Sequence, residues 1–304
     1  MSDHTMSRRQ LRIPARGGEE LDAWVYLPDR SGPVPIVVMA HGIGGIKAGG
    51  LAPFAERFVD SGFAAVVFDY RHWGESTGEP RQFLSIRRQL DDYRTALAWA
   101  RGQQEFDSTR MFLWGTSFAG MHIVELAASE PGLAGAIAQC PLVDGFAGLT
   151  KIPPQRALRL TGYALADLAG SVFGRRPRYL PISVSPGQLG VIATEDALVG
   201  MDRLDPGDGS WSNDITARSL LDISVHRPVR RARHAQCPLL MVVAEQDTMA
   251  PTGPALTVAT KAPRGELYRS RGGHYDVYAG GIDHENVVRV ETAFLQRHSR
   301  TLDR

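Results

Sequence analysis

The chain has 304 residues, and its 34 lysines and arginines nearly cancel 33 aspartates and glutamates, leaving a net charge of +1. Hydrophobic residues make up 43% and charged residues 22%, a globular composition that excludes a disordered, collagen-like or supercharged chain. The missing basic excess argues against a nucleic-acid binder.

No apolar run reaches the roughly 18 residues of a membrane span. Two cysteines, Cys140 and Cys237, are too few for a disulfide scaffold and read as small buried hydrophobes. The first dozen residues are polar and basic without an apolar centre, so no secretory leader is expected and the expected location is the cytoplasm.

In chain order, residues 10–13 and 20–27 flank Ala15–Gly18 as an antiparallel hairpin. Short apolar runs at 36–40, 63–68, 111–114, 134–138 and 239–244 read as buried strands. Continuous runs of this kind suit a parallel sheet covered on both faces. Helical spacing appears between them: Leu51, Phe54, Ala55, Phe58 and Val59; then Leu90, Tyr93, Leu97 and Ala98; then Met121, Val124 and Ala128. The alternation predicts an α/β fold, a mostly parallel twisted sheet flanked by helices with an antiparallel edge.

About a hundred residues separate the strands at 134 and 239, far beyond an ordinary connection. The expected organisation is a core of residues 1–143 and 234–304 interrupted by a cap, residues 144–233. In the cap, Ala157, Leu160, Ala164, Leu165, Leu168 and Val172 are expected to share one helix face, and a second helix is expected over 213–224. The cluster Arg227, Arg230, Arg231 and Arg233 reads as a solvated return loop or an anionic-substrate site.

The chemistry-bearing residues lie at predicted strand ends. Leu113–Gly120 runs from a strand through Gly115, Thr116 and Ser117 into small residues opening a helix, the context of a nucleophile elbow. Ala119 stands where the G-x-S-x-G pattern has its second glycine, and a Gly-Thr-Ser at a strand end can also be a plain helix cap. His41-Gly42-Ile43-Gly44-Gly45 follows the strand at 36–40. Its backbone, with that of the residue after the serine, offers Ile43 and Phe118 N–H groups as an oxyanion hole. Asp247 follows the strand at 239–244, and His274 sits among glycines after a strand-like run at 266–269. A serine hydroxyl needs a base, and the base needs an orienting acid. The order Ser117, Asp247, His274 is that of α/β-hydrolases. Glu245 is the competing acid; Asp276 is too near His274 in sequence to orient it.

With these segments the chain resembles the bacterial α/β-hydrolases of the esterase and serine-aminopeptidase-like group, which includes carboxylesterases and hydrolases of mono-alkyl phthalate esters. The resemblance rests on HGIGG, FDYRHWGES, GTSFAG, the Cys-Pro-Leu-Leu strand leading to Asp247, and GGHYDVY. FDYRHWGES matches the family's loop through Asp69, Arg71, Gly74 and Ser76, which is mainly structural there. The resemblance implies the α/β-hydrolase fold, an acyl-enzyme mechanism and no cofactor.

The expected function is therefore serine-dependent cleavage of a carboxylic ester in a small, largely apolar substrate. Catalytic residues would be Ser117, Asp247 and His274. His72, Trp73, Phe146, Leu158, Tyr163 and Trp211 are expected to wall the substrate pocket. No metal site is expected, since the histidines and cysteines lack ligand spacing. An amidase, peptidase, C–C bond hydrolase or acyltransferase could use the same triad, and a non-catalytic small-molecule receptor is the alternative of another kind. The sequence does not fix the oligomeric state.

Overall fold

The computed structural model describes residues 7–299. Ten strands and nine helices follow in chain order: β1 (Ser7–Pro14), β2 (Glu20–Leu27), β3 (Val34–Ala40), α1 (Ala52–Asp60), β4 (Ala64–Phe68), α2 (Ile86–Arg101), β5 (Phe106–Thr116), α3 (Phe118–Ala127), β6 (Gly135–Gln139), α4 (Gly145–Thr150), α5 (Pro154–Val172), β7 (Tyr179–Pro181), α6 (Ala197–Leu204), β8 (Asp214–Thr216), α7 (Ser219–Val225), β9 (Leu239–Ala244), α8 (Thr252–Lys261), β10 (Gly265–Ser270) and α9 (His284–Ser299). A 3-10 segment, Pro228–His234, leads into β9.

Eight strands form one sheet in the order β1-β2-β4-β3-β5-β6-β9-β10. β1 and β2 pair antiparallel, as do β2 and β4, and every other pairing is parallel. This is an α/β-hydrolase fold. Period-two alternation explains how the sheet is buried on both sides. Along β3, Ile36, Val38 and Ala40 join one core with residues of α2, α3 and α8, while Val37 and Met39 join a second core with residues of α1 and α9. Strand order reverses around β3 and β5, so the loops leaving their carboxyl ends diverge and open a crevice there.

The structure departs from the sequence expectation in the segment between β6 and β9. The helix expected over 213–224 divides into β8 and α7, because β-branched Ile215 and Thr216 pair with Leu180 and Tyr179. In α5 the inward face runs through Leu160, Ala164 and Asp167, whereas Leu165, Leu168 and Val172 are exposed. Asp167 is held inward because its carboxylate accepts from the Arg178 and Arg218 backbone N–H groups at 2.8 and 3.0 Å. Helices α4, α6, α8 and α9 add to the expected elements, and β5 starts five residues before its apolar run.

Candidate active site

Three loops bring the candidate residues together. Ser117 follows β5 with φ 55° and ψ −118°, a strained conformation for a non-glycine residue that lifts the hydroxyl away from the sheet. The surrounding small residues permit this turn. A Cβ at Gly115 would lie 2.7 Å from Ile123 Cγ1, and one at Gly120 would lie 2.3 Å from Pro141 Cβ. Ala119 is fully buried, so the alanine that departs from the usual pattern is accommodated.

A hydrogen-bonded chain runs from this serine. Ser117 Oγ lies 2.9 Å from His274 Nε2, and His274 Nδ1 donates to Asp247 Oδ2 at 2.7 Å. The other Asp247 oxygen accepts from the backbone N–H groups of Met249 and Ala250 at 2.9 and 2.8 Å. Asp247 is therefore fixed by the turn after β9, and its carboxylate selects the histidine tautomer whose Nε2 faces the serine. The His274 loop has its own support: Asp276 Oδ2 accepts from Gly273 N–H at 2.8 Å, and a Cβ on Gly272 would collide with that carboxylate. Asp276 thus shapes the loop that carries His274. Glu245 is exposed and lies 4.0 Å from Arg269, away from the histidine.

Opposite the elbow, Gly42 approaches so closely that a Cβ would lie 2.8 Å from Ser117 Cβ. Ile43 and Phe118 border the same cavity as Ser117 and His274. Among the described residues, neither backbone N–H has a hydrogen-bond acceptor. The loop carrying Ile43 is anchored behind the site. Lys47 N–H donates to Asp69 at 2.6 Å, and its buried ammonium meets Asp22 at 2.8 Å, Asp69 at 2.9 Å and Glu75 at 2.5 Å. Burial opposes that charge, but the three carboxylates outweigh it and the Lys47 pKa is raised. Asp69 also accepts from Glu75 N–H, and Ser76 Oγ donates to the Asp69 carbonyl. The FDYRHWGES loop thus acts as a clamp. The acids around Lys47 have metal-like spacing, but the ammonium occupies their centre.

A cavity of about 200 Å³ opens beside Ser117. Its walls come from Leu142, from Leu149 and Ile152 around α4, from Ala157, Leu160 and Ala164 of α5, from Val191 and Ile192, and from Leu220 and Ile223 of α7. Among the described residues, the charged side chains on the wall are Lys151 and Arg156, and no carboxylate lines it.

Five of the six expected wall residues are elsewhere. His72 and Trp73 are buried outside the cavity: His72 Nδ1 donates to the Pro80 carbonyl at 3.0 Å, and Trp73 Nε1 donates to the Phe83 carbonyl at 3.1 Å. A strand-end position suggested the pocket, but backbone acceptors claimed both rings. Phe146, Leu158 and Tyr163 point outward and are exposed, with Arg227 over the Phe146 ring at 5.2 Å. Trp211 lines a smaller adjoining cavity that also reaches Ser117 and His274, and donates to the Gly44 carbonyl at 2.7 Å.

The arginine cluster does not border the cavity. Arg227 forms a two-pronged pair with Asp144 at 2.8 and 2.7 Å, and Arg231 pairs with Glu125 of α3 at 2.7 Å. These contacts tie the ends of the inserted segment to each other and to the sheet layer.

Residues 17–276 match the model of the X-Pro dipeptidyl-peptidase (S15) family. The chain belongs to that family. It is a hydrolase of the α/β fold. Among individual relatives, it is 39% identical to a quorum-quenching protein, AidA, from Acinetobacter baumannii, with 90% of each chain covered. It is 27% identical to the polyketide transferase grgF of Penicillium sp., over 98% of this chain and 99% of that one. The crystal structure of that α/β hydrolase superposes with a TM-score of 0.84, covering 96% of this chain and 99% of the other. A thiohydrolase, aneE, from Aspergillus aculeatus is 26% identical over 92% of this chain and 90% of its own. No helix of the described residues is long and apolar enough to cross a membrane.

Proposed function

We infer that this hydrolase cleaves a carboxylic ester of a largely apolar acyl substrate through a serine acyl-enzyme. The carrying observation is the Asp247–His274–Ser117 chain opening onto an apolar cavity that no carboxylate lines among the described residues. Ser117 Oγ attacks the carbonyl carbon and its proton passes to His274 Nε2. Asp247 stabilises the imidazolium that results. The Ile43 and Phe118 N–H groups receive the developing oxyanion, where a single donor typically contributes about 3 kcal/mol. His274 then protonates the departing alcohol and activates water to release the acid. The segment 144–233 acts as a cap that supplies most of the acyl wall.

The cavity also bears on peptidase activity. An enzyme that removes dipeptides must receive a free α-ammonium near the scissile bond, and a buried cation needs an anionic partner. This wall offers Lys151 and Arg156 instead. A thioester is the second reading, favoured by the names of the thiohydrolase and polyketide transferase relatives. It needs the same residues, with a thiol leaving in place of an alcohol.

Labelling with a fluorophosphonate followed by peptide mass analysis should modify Ser117. An oxoester, thioester and amide sharing one medium-length acyl chain should then rank with the amide last. Labelling at another residue, or an amide preference, would overturn the reading.

A further inference from the structure

The wall residues that the sequence suggested but the cavity lacks lead to a different surface. Helix α5 has two apolar faces. Ala157, Leu160 and Ala164 face the cavity, whereas Leu158, Leu165 and Val172 are exposed on the opposite side at 74%, 53% and 77%. Gly162 and Ala169 complete this outer stripe at alternating spacings of four and three residues. Phe173, at 77% exposure, extends it past the helix end. The chain turns there through Gly174 at φ 65°, with Arg175 N–H donating to the Gly170 carbonyl at 3.0 Å, so Phe173 and the following arginines are held at the carboxyl end of the helix. Large contiguous apolar surface of this kind marks an interaction site.

The charge around it identifies the partner. Residues 145–194 contain six bases and one acid, Asp167, which is buried. The neighbouring residues 195–214 contain six acids and one base. The near-neutral chain is therefore segregated, and its apolar stripe lies in the basic part, flanked by exposed Arg159, Arg175 and Arg176. Twofold pairing of α5 with a second copy would set these arginines against one another, in the antiparallel arrangement Arg159 against Arg175 and Arg176. An anionic lipid surface accepts both features: acyl chains take the apolar side chains and headgroups take the guanidinium groups.

We propose that the outer face of α5, with Phe173, Arg175 and Arg176, docks the protein on an anionic membrane surface. Docking would place the helix that walls the cavity against lipid, so an apolar ester could partition from the bilayer toward Ser117.

The test is co-sedimentation with vesicles of phosphatidylcholine alone and of phosphatidylcholine with phosphatidylglycerol. Binding is expected to the mixed vesicles and to weaken with salt. Leu165→Glu and the double variant Arg175→Ser/Arg176→Ser should each weaken it about tenfold or more, while unchanged melting temperatures show that they fold. Binding to neither vesicle, or binding that both variants retain, would overturn the proposal. So would sedimentation-velocity dimers that Leu165→Glu splits, since a second copy would then cover the face. Binding is read without turnover, so failure of the esterase reading leaves this result interpretable.

Discussion

The sheet layer and the inserted segment solve different problems. In the sheet, β3, β4, β6 and β9 are buried along their whole length, and alternate residues feed two cores. The insert's own buried cluster consists of Leu160, Leu180 and Ala217, and its sheet has two three-residue strands. The sheet layer holds Ser117, His274 and Asp247 at hydrogen-bond distance; the insert surrounds the cavity and carries exposed apolar side chains. On the proposed function, chemistry sits on the strand ends and recognition on the insert with its small buried cluster, and the two can vary independently. Substitutions in the first should strike kcat, and substitutions in the second should strike substrate choice.

The largest effect should come from Ser117→Ala, which removes the nucleophile and should lower kcat about 10^6-fold, with Asp247→Asn next at about 10^4-fold. Both should leave the melting temperature nearly unchanged, and steady-state kinetics with an activated ester checks them. Substantial residual turnover in Ser117→Ala would break the assignment. Gly42→Ala is a subtler probe of the sheet layer. Its new methyl would meet Ser117 Cβ at 2.8 Å, so the Ile43 loop must retreat from the elbow. A loss of about 10^2-fold in kcat with little change in KM is expected, as for a displaced oxyanion donor.

The insert should respond differently. Ala164 is fully buried on the cavity wall, and Ala164→Leu fills space there. Its kcat/KM should drop about tenfold or more for longer acyl chains and stay near wild type for acetyl esters. A uniform loss across chain lengths would show that the insert serves the chemistry as well, and the division between the two regions would fail.

The same division explains what the sequence disclosed. Buried parallel strands leave unbroken apolar runs, and an elbow leaves glycine, serine and small residues at a strand end, so both were legible. Ser117, Asp247 and His274, which the structure brings to hydrogen-bond distance of one another, each sit directly after or near such a run. α5 departs from the expected single apolar face because it carries apolar residues on two faces: Leu165, Leu168 and Val172 share hydropathy with Leu160 but not its direction. β8 hid inside an expected helix because three residues carry no period. His72 and Trp73 were placed by strand-end position alone, and no sequence signal announces that a carbonyl such as Pro80 or Phe83 will claim a ring nitrogen. Lys47 had no signal either, since its three acids come from β2 and the loop after β4.

The smallest predicted effect isolates the sheet layer's stability from its chemistry. Glu291 of α9 is completely buried beneath the sheet, where Trp114 Nε1 donates to one of its oxygens at 3.0 Å and the other has no partner among the described residues. Burial pushes its pKa from 4.5 up to about 8, against the lowering influence of the Trp114 hydrogen bond. Between those values the folded protein keeps a proton that the unfolded chain has released. The folded state thus binds more protons, and stability falls as pH rises through this window. Glu291→Gln keeps an acceptor for Trp114 but cannot ionise. Its amide does not titrate and shifts stability only by a constant amount, so the informative quantity is the slope: melting temperature should decline less steeply from pH 5 to 8 in the variant than in the parent protein. Parallel slopes would mean that Glu291 is solvated when it ionises, and that the core beneath Ser117 is less dry than its packing indicates.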